Sequence, residues 1–426
     1  MKIDYKAQAQ AMSDQLVAWR RDLHMYPELG FQERRTAGRV AEHLKHLGYR
    51  VYTGIAETGV VGLLQGSHLA VLGGPACGEL VEPACGELVE PAEGQGARPG
   101  PTVMLRFDMD ALAVQEANEV DYASQVPGVM HACGHDAHVA IGMGVATLLQ
   151  RHRDALAGTV KLVFQPAEEG MNGAEVMVQQ GVLDDYGPRP DAVFALHMWN
   201  DLPVGWAGVA AGPMMAAAER WSLTVRGRGG HGAAPHQTVD PIVATAQLIS
   251  ALQTIVSRNV DPQKTAVVSV GTLQGGTAFN VIPAQVALTG TIRSFDAAVR
   301  EKILARFEAL CRGIASAMDV EVDLQMVPLT PATVNDVEAT RLMREVAVEV
   351  LGADKIDDDC RSMGSEDMAY FMREVPGCYL FLGSANAARG LNYPHHNPHF
   401  DFDEAALPLG AAIMAETATR FLNRAD

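Results

Sequence analysis

Three short apolar runs limit the architecture open to this chain. "PTVMLRFD" (101–108), "GTVKLVFQ" (158–165) and "DAVFALHMW" (191–199) are each almost continuously apolar and rich in β-branched or aromatic residues. A run of that length without alternation belongs to a strand covered on both faces, as in a parallel sheet sandwiched between helices. Helical patterns fall between the runs at about 137–150 and 172–180. The implied fold class is α/β, with a largely parallel sheet. Ligands of such sheets sit beyond the carboxyl ends of the strands. Asp108, the pair Glu168–Glu169 just past Gln165, and His197 would all gather there.

The rest of the chain frames that sheet. Residues 7–24 and 33–47 read as helices, and "YRVYTG" and "GVVGLLQG" as strands. Residues 67–100 then interrupt the pattern with a segment rich in Gly, Pro, Ala and Glu, in which "PACGELVE" occurs twice in succession. It reads as an inserted surface loop without chemistry. From 213 to 328 the order becomes strand, helix (238–257), two strands, helix (297–317) and strand, a self-contained α+β layer. The organisation expected is therefore 1–212 as the first part of the main domain, 213–328 as a smaller inserted domain, and 329–426 as the second part. That last part supplies helices at about 335–351, 366–374 and 404–423.

Charge narrows the partners. Lys plus Arg minus Asp plus Glu is 33 − 51 = −18, with no basic stripe, so neither nucleic acid nor an anionic membrane surface is an expected partner. No apolar run approaches the roughly 18–20 residues of a membrane span. The opening "MKIDYKAQAQAMSDQ" has no apolar leader, so a cytoplasmic address is expected. The six cysteines are scattered, unlike a disulfide framework.

One cysteine has chemically telling neighbours: "VMHACGHDAH" (129–138) surrounds Cys133 with three histidines and an aspartate. Cys133 and His135 can face one point only from an irregular loop, which Gly134 permits. Thiolate, imidazole and carboxylate suit zinc or a similar divalent ion. A second cluster, "NYPHHNPHFDFDE", offers histidines from a Pro-punctuated loop. Of the adjacent Glu168 and Glu169, one can ligate while the other serves as a base beside a metal-activated water. Gly227, Gly229 and Gly232 match a dinucleotide fingerprint, but no acidic residue follows about 20 positions on, which argues against an NAD enzyme.

Nine motifs in order, "DLHMYPELGFQE", "RFDMDAL", "HACGHDAH", "PAEEG", "GGHGAAPH", "FNVIP", "GTIRSF", "GSEDMAYF" and "HHNPHFDFDE", resemble the metal-dependent amidohydrolases. That family includes hippurate hydrolase, N-acyl-L-amino-acid amidohydrolase and indole-acetyl-amino-acid hydrolases. The resemblance implies hydrolysis of hippurate-like or N-acetyl amino acids to a carboxylic acid and a free amino acid. It implies two divalent metal ions per subunit, zinc or manganese first, cobalt or nickel also open, held by Cys133, His135, Glu169, His197 and His396. Glu168 would be the general base, and His231 the donor to the oxyanion, across a dimer in some relatives. Asn280 and Arg293 would receive the substrate carboxylate, and Asp108 and Glu366 would support the ligands from behind. The inserted domain would act as lid and dimerisation domain, making a homodimer or higher homo-oligomer the expected assembly. Arg106 stands where many distant relatives carry a metal-binding histidine, a loss for which Cys133 compensates. Met214, Met215 and Leu391 are candidates for the acyl pocket. A dipeptidase or aminopeptidase with the same chemistry, and a non-catalytic metal-binding protein, are the other readings.

Overall fold

The computed structural model describes residues 3–67 and 100–424. The repeated "PACGELVE" segment, with Cys77 and Cys85, lies outside the described residues. In chain order the longer strands are β1 (Arg50–Ile55), β2 (Gly59–Gln65), β3 (Thr102–Asp108), β4 (Thr159–Gln165) and β5 (Ala192–Pro203). Then follow β6 (Ala217–Arg226), β7 (Ala266–Gln274), β8 (Gln285–Ser294), β9 (Glu321–Thr330) and β10 (Gly377–Ala385).

The main sheet runs β1-β2-β4-β3-β5-β10, extended past β10 by the two-residue strands Ala207–Gly208 and Ile356–Asp357. Its centre, β4-β3-β5-β10, is parallel throughout. Its flanks are not: β1, β2 and Ala207–Gly208 pair antiparallel with their inner neighbours. The sheet is thus mixed: its buried centre is parallel, and at the far edge Ile356–Asp357 pairs parallel with Ala207–Gly208. β10 is the element that the helical reading of the C-terminal stretch passes over. Its run "GCYLFLGSA" is buried for eight of nine residues and carries the same signal as β3, β4 and β5.

Helix His135–Arg151 explains the sheet's depth. Fourteen of its seventeen residues are buried, so it is a core helix rather than an amphipathic cover. Gly142 lets it press close: a Cβ there would lie 2.7 Å from Phe164 and 2.8 Å from Phe107. Helix Ala406–Leu422 packs beside it. The helix expected over 7–24 is broken into Tyr5–Gln10 and Ser13–Met25. The one expected over 366–374 starts only at Ala369, leaving Glu366 and Asp367 in the preceding turn.

Residues 217–330 form a second sheet, ordered β7-β8-β6-β9 and antiparallel throughout. Helices Pro241–Thr254 and Ala297–Met318 cover it and share a separate core around Trp221, Leu248, Leu252, Ile303 and Phe307. Where the chain passes between the two layers, Gly212–Met215 pairs antiparallel with Thr333–Asn335. Among the described residues no helix is long and apolar enough to cross a membrane.

Candidate active site

Strand register brings the first groups level. Asp108 pairs with Gln165 across β3 and β4, and the last β3–β5 rung is Arg106 with Ala195. Asp108 and His197 each lie two residues beyond that rung, at the carboxyl edge of the parallel centre. Glu168 and Glu169 follow on the loop that leaves β4.

The histidines sort themselves by what their second nitrogen meets. His135 Nδ1 lies 2.9 Å from the Asp110 carbonyl oxygen, which can only accept, so Nδ1 carries a proton and Nε2 is the nitrogen open to a ligand. Burial lowers the ring's pKa but Asp108 and Asp110 raise it to about 10, and a cation at Nε2 would act in the opposite sense. That Nε2 is buried without a partner. His197 Nδ1 likewise donates to the Met198 carbonyl at 2.7 Å, so Nε2 carries the lone pair and turns it toward Cys133 Sγ at 3.5 Å. Burial, with His138 and His395 close by, holds the His197 pKa well below the usual histidine range, so the ring is neutral. Gly134, at φ +87°, provides the left-handed step between Cys133 and the helix that begins at His135.

The second cluster closes on the first. The His396 amide donates to the Ala132 carbonyl at 2.8 Å, and its Nε2 lies 3.2 Å from Glu169 Oε1. Ligand atoms of Cys133, His135 and His197 lie within 4.8 Å of one another, as do those of Cys133, Glu169 and His396, and of His135, Glu168 and Glu169. Cys133 is common to the first two groups. Burial and the carboxylates of Glu169 and Glu168 push its thiol pKa well up. A thiolate forms in such surroundings only beside a cation, and a coordinated metal supplies one. With the orphaned His135 Nε2, this donor set fits divalent metal ions.

The third histidine of the crowd takes no part. His138 Nε2 accepts from the Met198 amide at 2.9 Å, so its Nδ1 bears the proton, which goes to Asp108. Although His138, Asp108 and His135 cluster closely enough for a metal, His138 has no lone pair left for one. Asp136 is bound to Arg20 and His24. His131 is buried with neither ring nitrogen partnered.

Behind the ligands lies a lattice that the sequence motifs only partly reveal. Buried Arg106 donates to Asp108 at 2.6 Å, Glu366 at 2.9 Å, Asp367 at 3.0 Å and Gln165 at 2.7 Å. Tyr379 of β10 donates its hydroxyl proton to Glu366. Asp367, Gln165 and Tyr379 are absent from the sequence-derived set. An arginine inside the apolar run of β3 is the signal that buried carboxylates must lie nearby. Glu168 faces this lattice, and burial together with Glu366, Glu169 and Asp367 raises its pKa well above the ordinary glutamate range. Bound cations act in the opposite sense.

These groups border a cleft of about 380 Å³, lined also by Trp199, Met215, Leu329 and Arg293. Arg293 Nη1 is buried without a hydrogen-bond partner among the described residues, and burial lowers the guanidinium pKa. Of the acyl-pocket candidates only Met215 lines the cleft; Met214 is fully buried, and Leu391 is not among the lining residues. His231 and Asn280 are not brought to the cleft either. Both are exposed, in the turn region where Gly230–His231 pairs with Val281–Ile282. His231 Nδ1 accepts from the Ala233 amide at 3.0 Å, so a neutral ring carries its proton on Nε2.

Known proteins resemble this chain over most of its length. The model of peptidase family M20/M25/M40 matches residues 104–420. This chain belongs to that family. An M20 relative, the IAA-amino acid hydrolase ILR1-like 4 of Arabidopsis thaliana, is 38% identical over 96% of this chain and 86% of its own. The N-acetyl-L-cysteine deacetylase of Bacillus subtilis is 36% identical over 97% and 89%. Among solved M20 structures, the YXEP protein of Bacillus subtilis, described as a dinuclear metal binding peptidase, superposes with a TM-score of 0.78 at 32% identity, covering 97% of this chain and 99% of that one. The M20 chain described here is a metal-dependent hydrolase of amide bonds.

Proposed function

We propose that this hydrolase cleaves N-acyl amino acids, releasing a carboxylic acid and the free amino acid. The observation that carries the reading is Arg293, an unpartnered guanidinium lining the same cleft as Glu168 and the candidate ligands. A planar cation there suits the carboxylate of the amino-acid half. The names of the two curated relatives support the same substrate class. A dipeptidase would need a free carboxylate for the α-amino group, and the acidic groups lining the cleft, Glu168, Glu169 and Glu366, all have other work.

Cys133, His135, Glu169, His197 and His396 would hold the metal ions, zinc or manganese by their donor types. When bound, the ions polarise the acyl carbonyl and acidify water. Glu168 takes the proton of the attacking water and returns it to the leaving nitrogen. His231 Nε2–H donates to the oxygen that gains charge, reaching it from a partner subunit, and Asn280 joins Arg293 at the carboxylate. Asp108 and Glu366 hold their neighbours through Arg106. A homodimer is part of this reading: the segment beside His231 exposes Phe279, Val281 and Leu273, an apolar patch suited to a second copy. So is a lid and dimerisation domain at 213–328 between 1–212 and 329–426. A cytoplasmic address, where Cys133 stays reduced, completes it.

The test is hydrolysis of hippurate, N-acetylmethionine and free dipeptides, with and without chelator, by the native enzyme and by Glu168→Ala. Chelator-sensitive cleavage of the acylated substrates, abolished in Glu168→Ala at unchanged metal content, is expected. Cleavage of free dipeptides alone would replace the reading with a dipeptidase, and near-normal turnover by Glu168→Ala would remove Glu168 from the base role.

A further inference from the structure

The loop that carries Glu168 is clamped on both sides by carboxylates from distant segments. Pro166 has no amide proton to offer. The Ala167 amide donates to Glu33 Oε1 at 2.9 Å, and the Glu169 amide to Asp110 Oδ2 at 2.9 Å. Between those two anchors stands Glu168. Ala167 itself is fully buried at φ +55°, ψ +47°, a left-handed conformation that is sterically unfavourable for an L-residue. Such strain persists only when the surroundings enforce it.

The surroundings do so through "ELGFQE". Glu33 is fully buried, and its other oxygen, Oε2, accepts from the Thr58 hydroxyl at 2.6 Å, so both carboxylate oxygens are committed. Gly30 lies against the same spot: a Cβ there would sit 3.0 Å from the Ala167 Cβ and 3.0 Å from Met171 Sδ. A carboxylate with no ion-pair partner among the described residues, buried at the back of a strained loop, is costly unless the geometry it holds matters. We propose that Glu33 is a positioning residue for the general base, its carboxylate holding Ala167 in the left-handed turn that presents Glu168 to the cleft. Thr58 and Gly30 complete the clamp. The assignment rests on Glu168 being the base.

Four variants test it: Glu33→Ala, Glu33→Gln, Ala167→Gly and the double variant Glu33→Ala/Ala167→Gly, each assayed for kcat, KM and metal content on an acylated substrate that the native enzyme turns over. Glu33→Ala is expected to lower kcat by about 10- to 100-fold, the effect of a small misplacement of a reacting group. KM and metal content should stay close to native. Glu33→Gln should restore turnover, since its amide oxygen still accepts from Ala167 and its NH₂ donates to Thr58. The double variant should outpace Glu33→Ala, because glycine takes the left-handed turn without the clamp. Native kcat in Glu33→Ala, or a double variant no faster than Glu33→Ala, would overturn the proposal. If Glu33→Ala does not accumulate as folded protein, Thr58→Val decides: a several-fold fall in kcat supports the clamp, an unchanged kcat overturns it. Undiminished turnover by Glu168→Ala would instead bring down the base assignment, whatever the Glu33 variants do.

Discussion

His135 and His138 sit three residues apart on one helix, yet only His135 has a ring nitrogen that makes no hydrogen bond among the described residues. The difference is made by their backbone partners: Asp110 presents a carbonyl to one ring, Met198 an amide to the other. Metal sites elsewhere are tuned in this way, by the groups that fix the tautomer of each ligand. The same reasoning assigns His231 its donor. With Nδ1 accepting from Ala233, a neutral ring holds its proton on Nε2, the donor that the proposed oxyanion role requires. His231→Ala is therefore expected to lower kcat by about 100-fold or more, as loss of an oxyanion donor does. Steady-state kinetics on the acylated substrate check this: a change confined to KM would make His231 a binding group.

At the scale of an element, helix Ser13–Met25 is tied to both segments that carry candidate ligands. Arg20 and His24, one turn apart and both buried, reach Asp136 beside His135, and Arg20 also holds Asp401 near His396. His24 lies between Asp136 at 2.7 Å and Glu116 at 3.2 Å. Burial and the Arg20 charge lower its pKa, but the two carboxylates outweigh them, and the folded value stands above 6.5. A group raised on folding stabilises fully below its unfolded pKa, and that contribution is lost as pH rises through the folded one. The Tm gap between the native protein and His24→Gln is thus expected to be largest at acidic pH and to shrink as pH climbs past 6.5. A gap independent of pH across that window would contradict a charged His24.

For the whole molecule, the decisive question is how His231 reaches a cleft that its own chain does not bring it to. If a partner subunit supplies it, Glu168→Ala and His231→Ala subunits complement each other, because a mixed dimer contains one intact site. Mixing the two inactive proteins under conditions of subunit exchange should restore roughly a quarter of native activity, from random pairing in a twofold dimer. Mixtures as inactive as their components would show that His231 works within its own chain or not at all.

What could be read along the chain was whatever depends on near neighbours. Continuous apolar runs identify β3, β4 and β5, because burial on both faces leaves no room for alternation, and the carboxylates just past their ends follow from that. The ligand types in "HACGHDAH" and "HHNPHFDFDE" are equally local, though only the family resemblance says which histidine would ligate. Folding alone decided the rest. Arg106 meets Glu366 and Asp367 across about 260 positions, Glu33 meets Ala167 across more than 130, and β10 enters beside β5 from the far end of the chain. Such pairings are set by loop closure and core packing, which no local pattern encodes. So is the choice among the histidines: residue type makes each a possible ligand, but only the tertiary partner on the second nitrogen leaves a lone pair to use.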